Sequence, residues 1–291
     1  MALGQYLSNE TRPETVSDES ATMPTLAEVQ NTYEREESHE ESREFMITEI
    51  AAYVIEVYLL EDENVSHYNE ACSIPVYKIP TRTPGEYRTK IISLTFDDGP
   101  SWLTEYLLNI LDQHDARVTF CVIGNLVEAN AETVVRAFEA GHEIVGHSWN
   151  HGNLSQLSVY NITTQIEQTS KIIEYVTGES PPPLFRVPFG IFNGRIRRAA
   201  YESGYGVLNW SIDPQDWRYR CTYHIYEYIM QNARDGAIVL LHDIHPTTIY
   251  AMEKVIPSLI DSGFRLVHAS EVIYHIYGEL EPGFEYTGTR R

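Results

Sequence analysis

Cysteine is scarce in this sequence, with three residues, Cys72, Cys121 and Cys221, among 291. They are widely spaced and none belongs to a CxxC pair, whereas disulfide frameworks and thiolate zinc sites both need closely spaced cysteines. Neither feature is predicted, and the odd number leaves room for a single bridge at most.

Basic residues are also few: 21 Lys and Arg stand against 42 Asp and Glu, which gives a net charge of −21. This excess argues against a nucleic-acid partner, because nucleic acids are bound through clustered Lys and Arg. No glycine-rich phosphate-binding loop follows the first predicted strand, so we do not expect the protein to bind a nucleotide. The acidity is concentrated at one end, since the first 70 residues hold 17 acidic and 3 basic side chains.

Long apolar runs are missing as well. No stretch of about 18 uncharged apolar residues is present, and nothing near Met1 has the basic-then-apolar order of a signal peptide. We therefore predict no transmembrane segment, signal or anchor in this chain. A secreted or anchored protein from which the signal or anchor had been removed would show the same pattern.

Composition divides the chain into four parts. Residues 1–44 are rich in Glu, Ser and Thr, which predicts a disordered or linker-like acidic tail. Residues 45–88 contain apolar residues at mixed helical and strand spacing, and we interpret them as an appendage packed on the main domain, with a partner-binding helix as the alternative. The main domain is predicted at 89–277 and a C-terminal tail at 278–291.

Strand-like and helical segments alternate in the main domain. Seven apolar runs are typical of buried strands, at 91–96, 117–123, 142–146, 184–187, 206–210, 237–241 and 264–267. Helical stretches are predicted at 103–114, 127–140, 159–177, 194–203, 223–234 and 248–262. The alternation predicts an α/β fold, a parallel sheet with outer helices that is either open and twisted or closed into a barrel.

The first strand ends in two adjacent carboxylates, Asp97 and Asp98, followed by the turn dipeptide Gly99-Pro100. Neighbouring side chains of a strand point to opposite faces, so both can serve one site only if the chain leaves the strand here. Adjacent carboxylates repel each other, and a bound divalent cation is the simplest way to offset this repulsion. The alternative interpretation is an Asp-rich surface turn.

The other predicted strands also end in side chains that carry chemistry. In either architecture the carboxyl ends of the strands form the catalytic face. Five of these ends hold Asp97 and Asp98, His147 and His151, Arg186, Asp216, and His242. Each alone is a weak signal, but together they predict a single active site.

The segments TFDDGP, HSWNH, RVPFG, DPQDW and LLH, in this order, resemble the five motifs of the polysaccharide deacetylases, also called the NodB-homology family or carbohydrate esterase family 4. The resemblance covers about residues 89–277. It implies a distorted (β/α) barrel of about seven parallel strands with outer helices, carrying the N-terminal appendage. It also implies metal-dependent removal of acetyl groups from N-acetylated glycans or, in some members, from acetylated xylan.

The resemblance implies one divalent metal held by Asp98, His147 and His151. A His2Asp face that leaves positions open suits zinc, our first choice, with cobalt, nickel or manganese as alternatives. His147 and His151 are four residues apart, a spacing that can place two imidazoles on one side of a helical turn.

The remaining roles also follow from the resemblance. Asp97 is expected to be the general base, with Arg186 orienting it, and the backbone N–H of Phe189 to be the oxyanion donor. His242 is expected to be the general acid, with Asp216 raising its pKa. Trp217, Leu240 and Pro188 are expected to bind substrate, the first two as the acetyl pocket.

The expected partner is an N-acetylated glycan polymer outside the cell or in the cell envelope. The motifs are most similar to bacterial peptidoglycan N-acetylglucosamine deacetylases, with a chitin or chitooligosaccharide deacetylase and an acetylxylan esterase as alternatives. A glycan-binding module whose chemistry has lapsed is the non-enzymatic alternative. His245 is predicted to structure its loop, and Cys121 to be buried and inert. Five further histidines are predicted to be surface or capping groups: His114, His142, His224, His268 and His275.

Overall fold

The structure is a computed structural model and describes residues 90–289. The acidic tail predicted at 1–44 and the appendage predicted at 45–88 lie outside the described residues. The main domain and nearly all of the predicted C-terminal tail lie within them.

Eight strands and nine α-helices are formed in the described part of the chain. The strands are β1 Lys90–Asp97, β2 Thr119–Val122, β3 Glu143–Gly146, β4 Leu184–Arg186, β5 Gly206–Leu208, β6 Ala237–His242, β7 Phe264–Leu266 and β8 Glu285–Tyr286. The helices are α1 Thr104–Asp112, α2 Gly124–Val127, α3 Ala131–Glu139, α4 Val159–Thr177, α5 Gly194–Ser203, α6 Asp216–Tyr219, α7 Thr222–Asn232, α8 Pro246–Asp261 and α9 Ala269–Tyr277.

The strands form a curled parallel sheet in the order β6-β1-β2-β3-β4-β5-β8, with β7 pairing the start of β1. The sheet closes on itself beyond β5, where Ile212 makes a parallel bridge to Val239 of β6. The predicted distorted barrel of seven parallel strands with outer helices is therefore confirmed, and β8 extends it by one short strand beside β5.

Local sequence explains how the helices cover the sheet. In α4 the buried residues Ile162, Ile166, Thr169 and Ile173 recur every three or four positions, which gives one inward face. The side chain of Ser158 caps the first turn by accepting from the backbone N–H of Asn161, and Gly178, at φ 79°, ends the helix in the left-handed region.

The central strand β1 brings two predicted site residues together. It pairs with β6 in a register that makes Asp97 and His242 Cα partners. On its other side Asp97 is the partner of Cys121 in β2, and the thiol of Cys121 is buried and free. The catalytic face is thus centred on the carboxyl end of β1.

Three local predictions differ from the structure. The single helix predicted at 127–140 is divided into α2, a 3₁₀ turn at Glu128–Asn130 and α3, because Asn130 leaves helical geometry and its side-chain amide donates to the carbonyl of Leu126. The segment predicted as a C-terminal tail contains β8, and its Tyr286 is 1 % exposed. His142 is buried with its ring edge-on to Phe120, not a surface group.

Within residues 90–289 no helix has the length and apolar character needed to cross a membrane.

Candidate active site

The chain leaves β1 between its two carboxylates. Asp97 is the last residue of the strand and Asp98 follows with φ 72°, in the left-handed region. This backbone conformation is costly for a residue other than glycine and is common at functional sites. It turns the side chain of Asp98 so that both carboxylates serve one face, as the sequence required.

The two histidines lie in the loop after β3, not on the helical turn that their spacing allowed. His147 follows the strand directly, and its Nδ1 donates to the carbonyl of Arg186 at 3.0 Å. This hydrogen bond leaves the lone pair of Nε2 available as a ligand. His151, at φ 55°, is reached through a tight turn in which its backbone N–H donates to Oγ of Ser148.

Asp98, His147 and His151 converge as a candidate metal centre. Oδ1 of Asp98 lies 3.4 Å from Nε2 of His147 and 3.2 Å from Nε2 of His151. One ligand atom from each residue lies within 4.8 Å of the others. Within residues 90–289, Oδ1 of Asp98 is also buried without a hydrogen-bond donor. A carboxylate oxygen and two imidazole nitrogens at these distances fit a divalent cation of the zinc type.

The electrostatics of these residues favour the states that bind a metal. Burial raises the pKa of Asp98, but the adjacent imidazole of His147, with a smaller contribution from His151, outweighs it and brings the pKa to about 2. Burial and the neighbouring His147 lower the pKa of His151. An ionised carboxylate and a neutral imidazole are the forms that coordinate metal ions.

Asp97 is held beside this centre by a buried arginine. Its Oδ1 accepts from Nη1 of Arg186 at 2.8 Å, and its Oδ2 lies 3.6 Å from Nε2 of His147. Arg186 is fully buried, donates from Nη2 to Oγ1 of Thr95, and lies 5.4 Å from the ring of Trp210. The guanidinium thus fixes one oxygen of Asp97 and leaves the other directed at the metal centre.

His242 and Asp216 form a second pair across the site. Nδ1 of His242 donates to Oδ1 of Asp216 at 2.8 Å, and the backbone N–H of His242 donates to Oδ2. Burial lowers the pKa of His242, but the hydrogen bond and charge of Asp216 outweigh it and raise the pKa to about 9. The sequence did not predict Thr248, whose hydroxyl also donates to Asp216.

Phe189 occupies a strained turn at the end of β4. It has φ 62° and a side chain that is 60 % exposed, with its ring centroid 4.8 Å from that of His151 in an edge-on arrangement. The next residue must be glycine, because a Cβ at Gly190 would come within 2.5 Å of the Trp210 ring. The turn places the ring of Phe189 against His151, one of the three residues of the candidate metal centre.

The predicted substrate-binding residues surround the same face. Leu240 is buried in β6 two positions before His242, so the two side chains share one side of the strand. Trp217 is 47 % exposed and follows Asp216, and Pro188 is buried beside Phe189. The predicted site residues therefore lie at or near the carboxyl ends of β1, β3, β4 and β6 or, for Asp216 and Trp217, in α6, which follows β5 in the chain.

Comparisons with known proteins agree with this site. A sequence model described as polysaccharide deacetylase matches residues 85–208. The chain is 37 % identical to the peptidoglycan-N-acetylglucosamine deacetylase PgdA of Listeria monocytogenes over 72 % of this chain and 43 % of that protein. It is also 37 % identical to a peptidoglycan-N-acetylglucosamine deacetylase of Bacillus cereus over 63 % of this chain and 88 % of that protein.

A third relative is the peptidoglycan-N-acetylmuramic acid deacetylase PdaC of Bacillus subtilis, 36 % identical over 68 % of this chain and 42 % of that protein. The solved structure of PdaC superimposes with a TM-score of 0.61 at 36 % identity, over 65 % of this chain and 92 % of the solved chain. The chain spans less than half the length of the Listeria and Bacillus subtilis relatives.

Proposed function

The chain belongs to the polysaccharide deacetylase family, and on this premise we propose that it is a metal-dependent hydrolase that removes N-acetyl groups from the GlcNAc residues of peptidoglycan and releases acetate. One observation carries the proposal. The triad Asp98, His147 and His151 lies beside Asp97, whose Cα partner across the sheet is His242. The candidate metal ligands and the residues proposed as base and acid thus lie on neighbouring strand ends.

Asp98, His147 and His151 would hold the cation, with zinc as first choice and cobalt, nickel or manganese as alternatives. When bound, a divalent metal polarises the acetamide carbonyl and lowers the pKa of water in the site toward about 7.

Asp97 is proposed as the general base that takes the proton of the attacking water. The hydrogen bond from Arg186 keeps one of its oxygens fixed and its charge compensated. The second oxygen, which faces the metal centre, is free to accept the proton. Arg186 is therefore a positioning residue for Asp97.

His242 is proposed as the general acid that protonates the leaving amine. Asp216 accepts from Nδ1, so Nε2 is the nitrogen that presents a proton to the substrate. The raised pKa keeps the ring protonated at neutral pH. Without this proton the amine would be a poor leaving group.

The backbone N–H of Phe189 is proposed as the donor that stabilises the oxyanion formed on the acetyl carbon. Its strained turn holds the peptide in place before the reaction begins. Leu240, Trp217 and Pro188 are proposed to contact substrate, with the first two forming an apolar pocket that accepts a methyl group and resists longer acyl chains.

The names of the relatives support peptidoglycan as the polymer, and with it a location outside the cell or in its envelope. They differ in the sugar, because PdaC is named for N-acetylmuramic acid. This makes deacetylation of the muramic acid residue the second candidate function. Chitin, chitooligosaccharides and acetylated xylan are further alternatives, and a glycan-binding module without activity is the non-enzymatic one.

The test is acetate release by the zinc-loaded chain from peptidoglycan, chitohexaose and acetylxylan, with the deacetylated sugar identified by mass spectrometry. We expect the fastest release from peptidoglycan and glucosamine as its product. Muramic acid as the product would favour the second candidate. Activity on acetylxylan alone would overturn the proposal, and binding to peptidoglycan without release would support the non-enzymatic alternative.

A further inference from the structure

Asp243, the residue after the proposed acid His242, has no role in the chemistry described so far. It follows the last residue of β6 and is completely buried. Burial raises its pKa to about 7. Within the described residues its carboxylate makes no ion pair, and Oδ1 has no hydrogen-bond donor. A buried carboxyl group in this state costs stability, so its contacts need an explanation.

Three contacts join Asp243 to residues 99–104, the loop that follows Asp98 together with Thr104, the first residue of α1. The hydroxyl of Thr104 donates to Oδ2 of Asp243 at 2.5 Å, and the hydroxyl of Ser101 donates to its backbone carbonyl at 2.9 Å. The backbone of Gly99 lies against the carboxylate, since a Cβ there would come within 2.6 Å of Oδ1. Asp243 therefore contacts the beginning, middle and end of the loop.

The loop's own hydrogen bonds depend on the same groups. Oγ1 of Thr104 accepts from the backbone N–H of Ser101 while its hydroxyl donates to Asp243. Oγ of Ser101 accepts from the backbone N–H of Leu103 while it donates to the carbonyl of Asp243. Each hydroxyl thus links the turn to the end of β6.

These hydrogen bonds bear on the position of Asp98, because Asp98 lies outside the β1–β6 strand pairing that holds Asp97. The β1–β6 pairing ends at Asp97 and His242, and the next residue has left-handed geometry. The position of the metal-ligating carboxylate relative to His242 is then set by the loop that follows it. A displacement of about 1 Å in such a group can cost about 100-fold in rate.

We propose that Asp243 is a positioning residue that fastens the loop carrying Asp98 to the strand end carrying His242, through its hydrogen bond with Thr104. The consequence for catalysis depends on the proposed function, whereas the consequence for metal affinity depends only on the ligand triad.

The test compares Asp243→Ala, Asp243→Asn and Thr104→Val in the full chain. Zinc affinity of the metal-free protein, kcat, KM and the melting temperature are measured for each. Thr163→Val is the matched control, because it removes a buried hydroxyl that has no hydrogen-bond partner within the described residues. The asparagine variant retains an oxygen acceptor for Thr104.

We expect Asp243→Ala and Thr104→Val each to weaken zinc affinity and kcat by about 10-fold, with KM within about 2-fold. Asp243→Asn should stay within about 3-fold of the parent in both quantities. The Asp243→Ala/Thr104→Val double variant should be impaired by less than the product of the two single effects, because both changes remove the hydrogen bond that joins the two side chains.

A lower melting temperature with unchanged zinc affinity and kcat would overturn the proposal, as would an asparagine variant as impaired as the alanine one. If Asp243→Ala does not fold, Thr104→Val provides the same comparison. If the parent chain releases no acetate, the proposed function fails, and zinc affinity still tests the role of Asp243.

Discussion

Nη1 of Arg186 donates to Oδ1 of Asp97 across 2.8 Å, and both side chains are buried. The adjacent carboxylate, Asp98, has the imidazoles of His147 and His151 as neighbours instead. Two successive aspartates therefore have different nearest partners, a guanidinium for one and two imidazole nitrogens of the candidate metal centre for the other. This difference is the basis for proposing different functions for them.

The first prediction separates the two carboxylates. Asp97→Asn should lower kcat by about 100-fold or more because the amide cannot take a proton, while zinc affinity changes little. Asp98→Asn should weaken zinc affinity by more than about 10-fold, since a charged ligand is lost. Isothermal titration of the metal-free variants and acetate release provide the two readouts. Loss of zinc binding in Asp97→Asn would mean that the roles are exchanged.

The second prediction concerns the pair His242 and Asp216. A general acid works below its pKa, so activity should fall as the pH rises through the pKa of His242, which is raised to about 9. Asp216→Asn removes the hydrogen bond and charge that raise this pKa. The alkaline limb of the kcat/KM profile should then move to lower pH by about one unit or more.

Thr248→Val serves as its control, because it removes a donor to Asp216 and retains the carboxylate. Its alkaline limb should move less than that of Asp216→Asn. An unchanged limb in Asp216→Asn would show that another group is the acid.

The third prediction concerns stability in acid. Burial, with a further contribution from the charge of Arg117, lowers the pKa of His142 to about 4. The unfolded chain therefore binds a proton near its ordinary pKa of about 6.5, while the folded chain does not until about 4. This neutral imidazole thus contributes stability above about pH 6.5 that is lost as the pH falls toward 4.

His142→Leu should remove that loss. The free energy of unfolding, measured with urea, should fall between about pH 7 and about pH 4.5 in both proteins. The fall should be smaller in the variant than in the parent, by on the order of 2 kcal/mol. His275→Leu, at a half-exposed position, should retain the parent's pH dependence. Parallel curves for His142→Leu and the parent would contradict the prediction.

The sequence predicted which residues lie near one another because the carboxyl ends of parallel strands meet on one face. Once the strands were located, Asp97, His147, Arg186 and His242 had to converge. The sequence could not predict which backbone conformation brings them together. The left-handed geometry of Asp98 and the loop conformation of the histidines depend on tertiary contacts that no local pattern records.

The sequence also could not predict the hydrogen bonds that threonine hydroxyls make to residues distant in the chain. Thr104 and Asp243 are 139 positions apart in the chain, and Thr248 and Asp216 are 32 apart. Threonine next to a strand or in a helix gives no signal of such a partner. The short strand β8 was missed for a related reason, because two residues cannot display a periodic pattern.

The measurement that tests the central claim most directly is acetate release from peptidoglycan by the chain before chelation, after chelation and after zinc is restored. The proposed function predicts that release stops when the metal is removed and returns with added zinc, because Asp98, His147 and His151 converge next to the residues proposed as base and acid. Acetate release at the original rate from protein verified to be free of metal would contradict it.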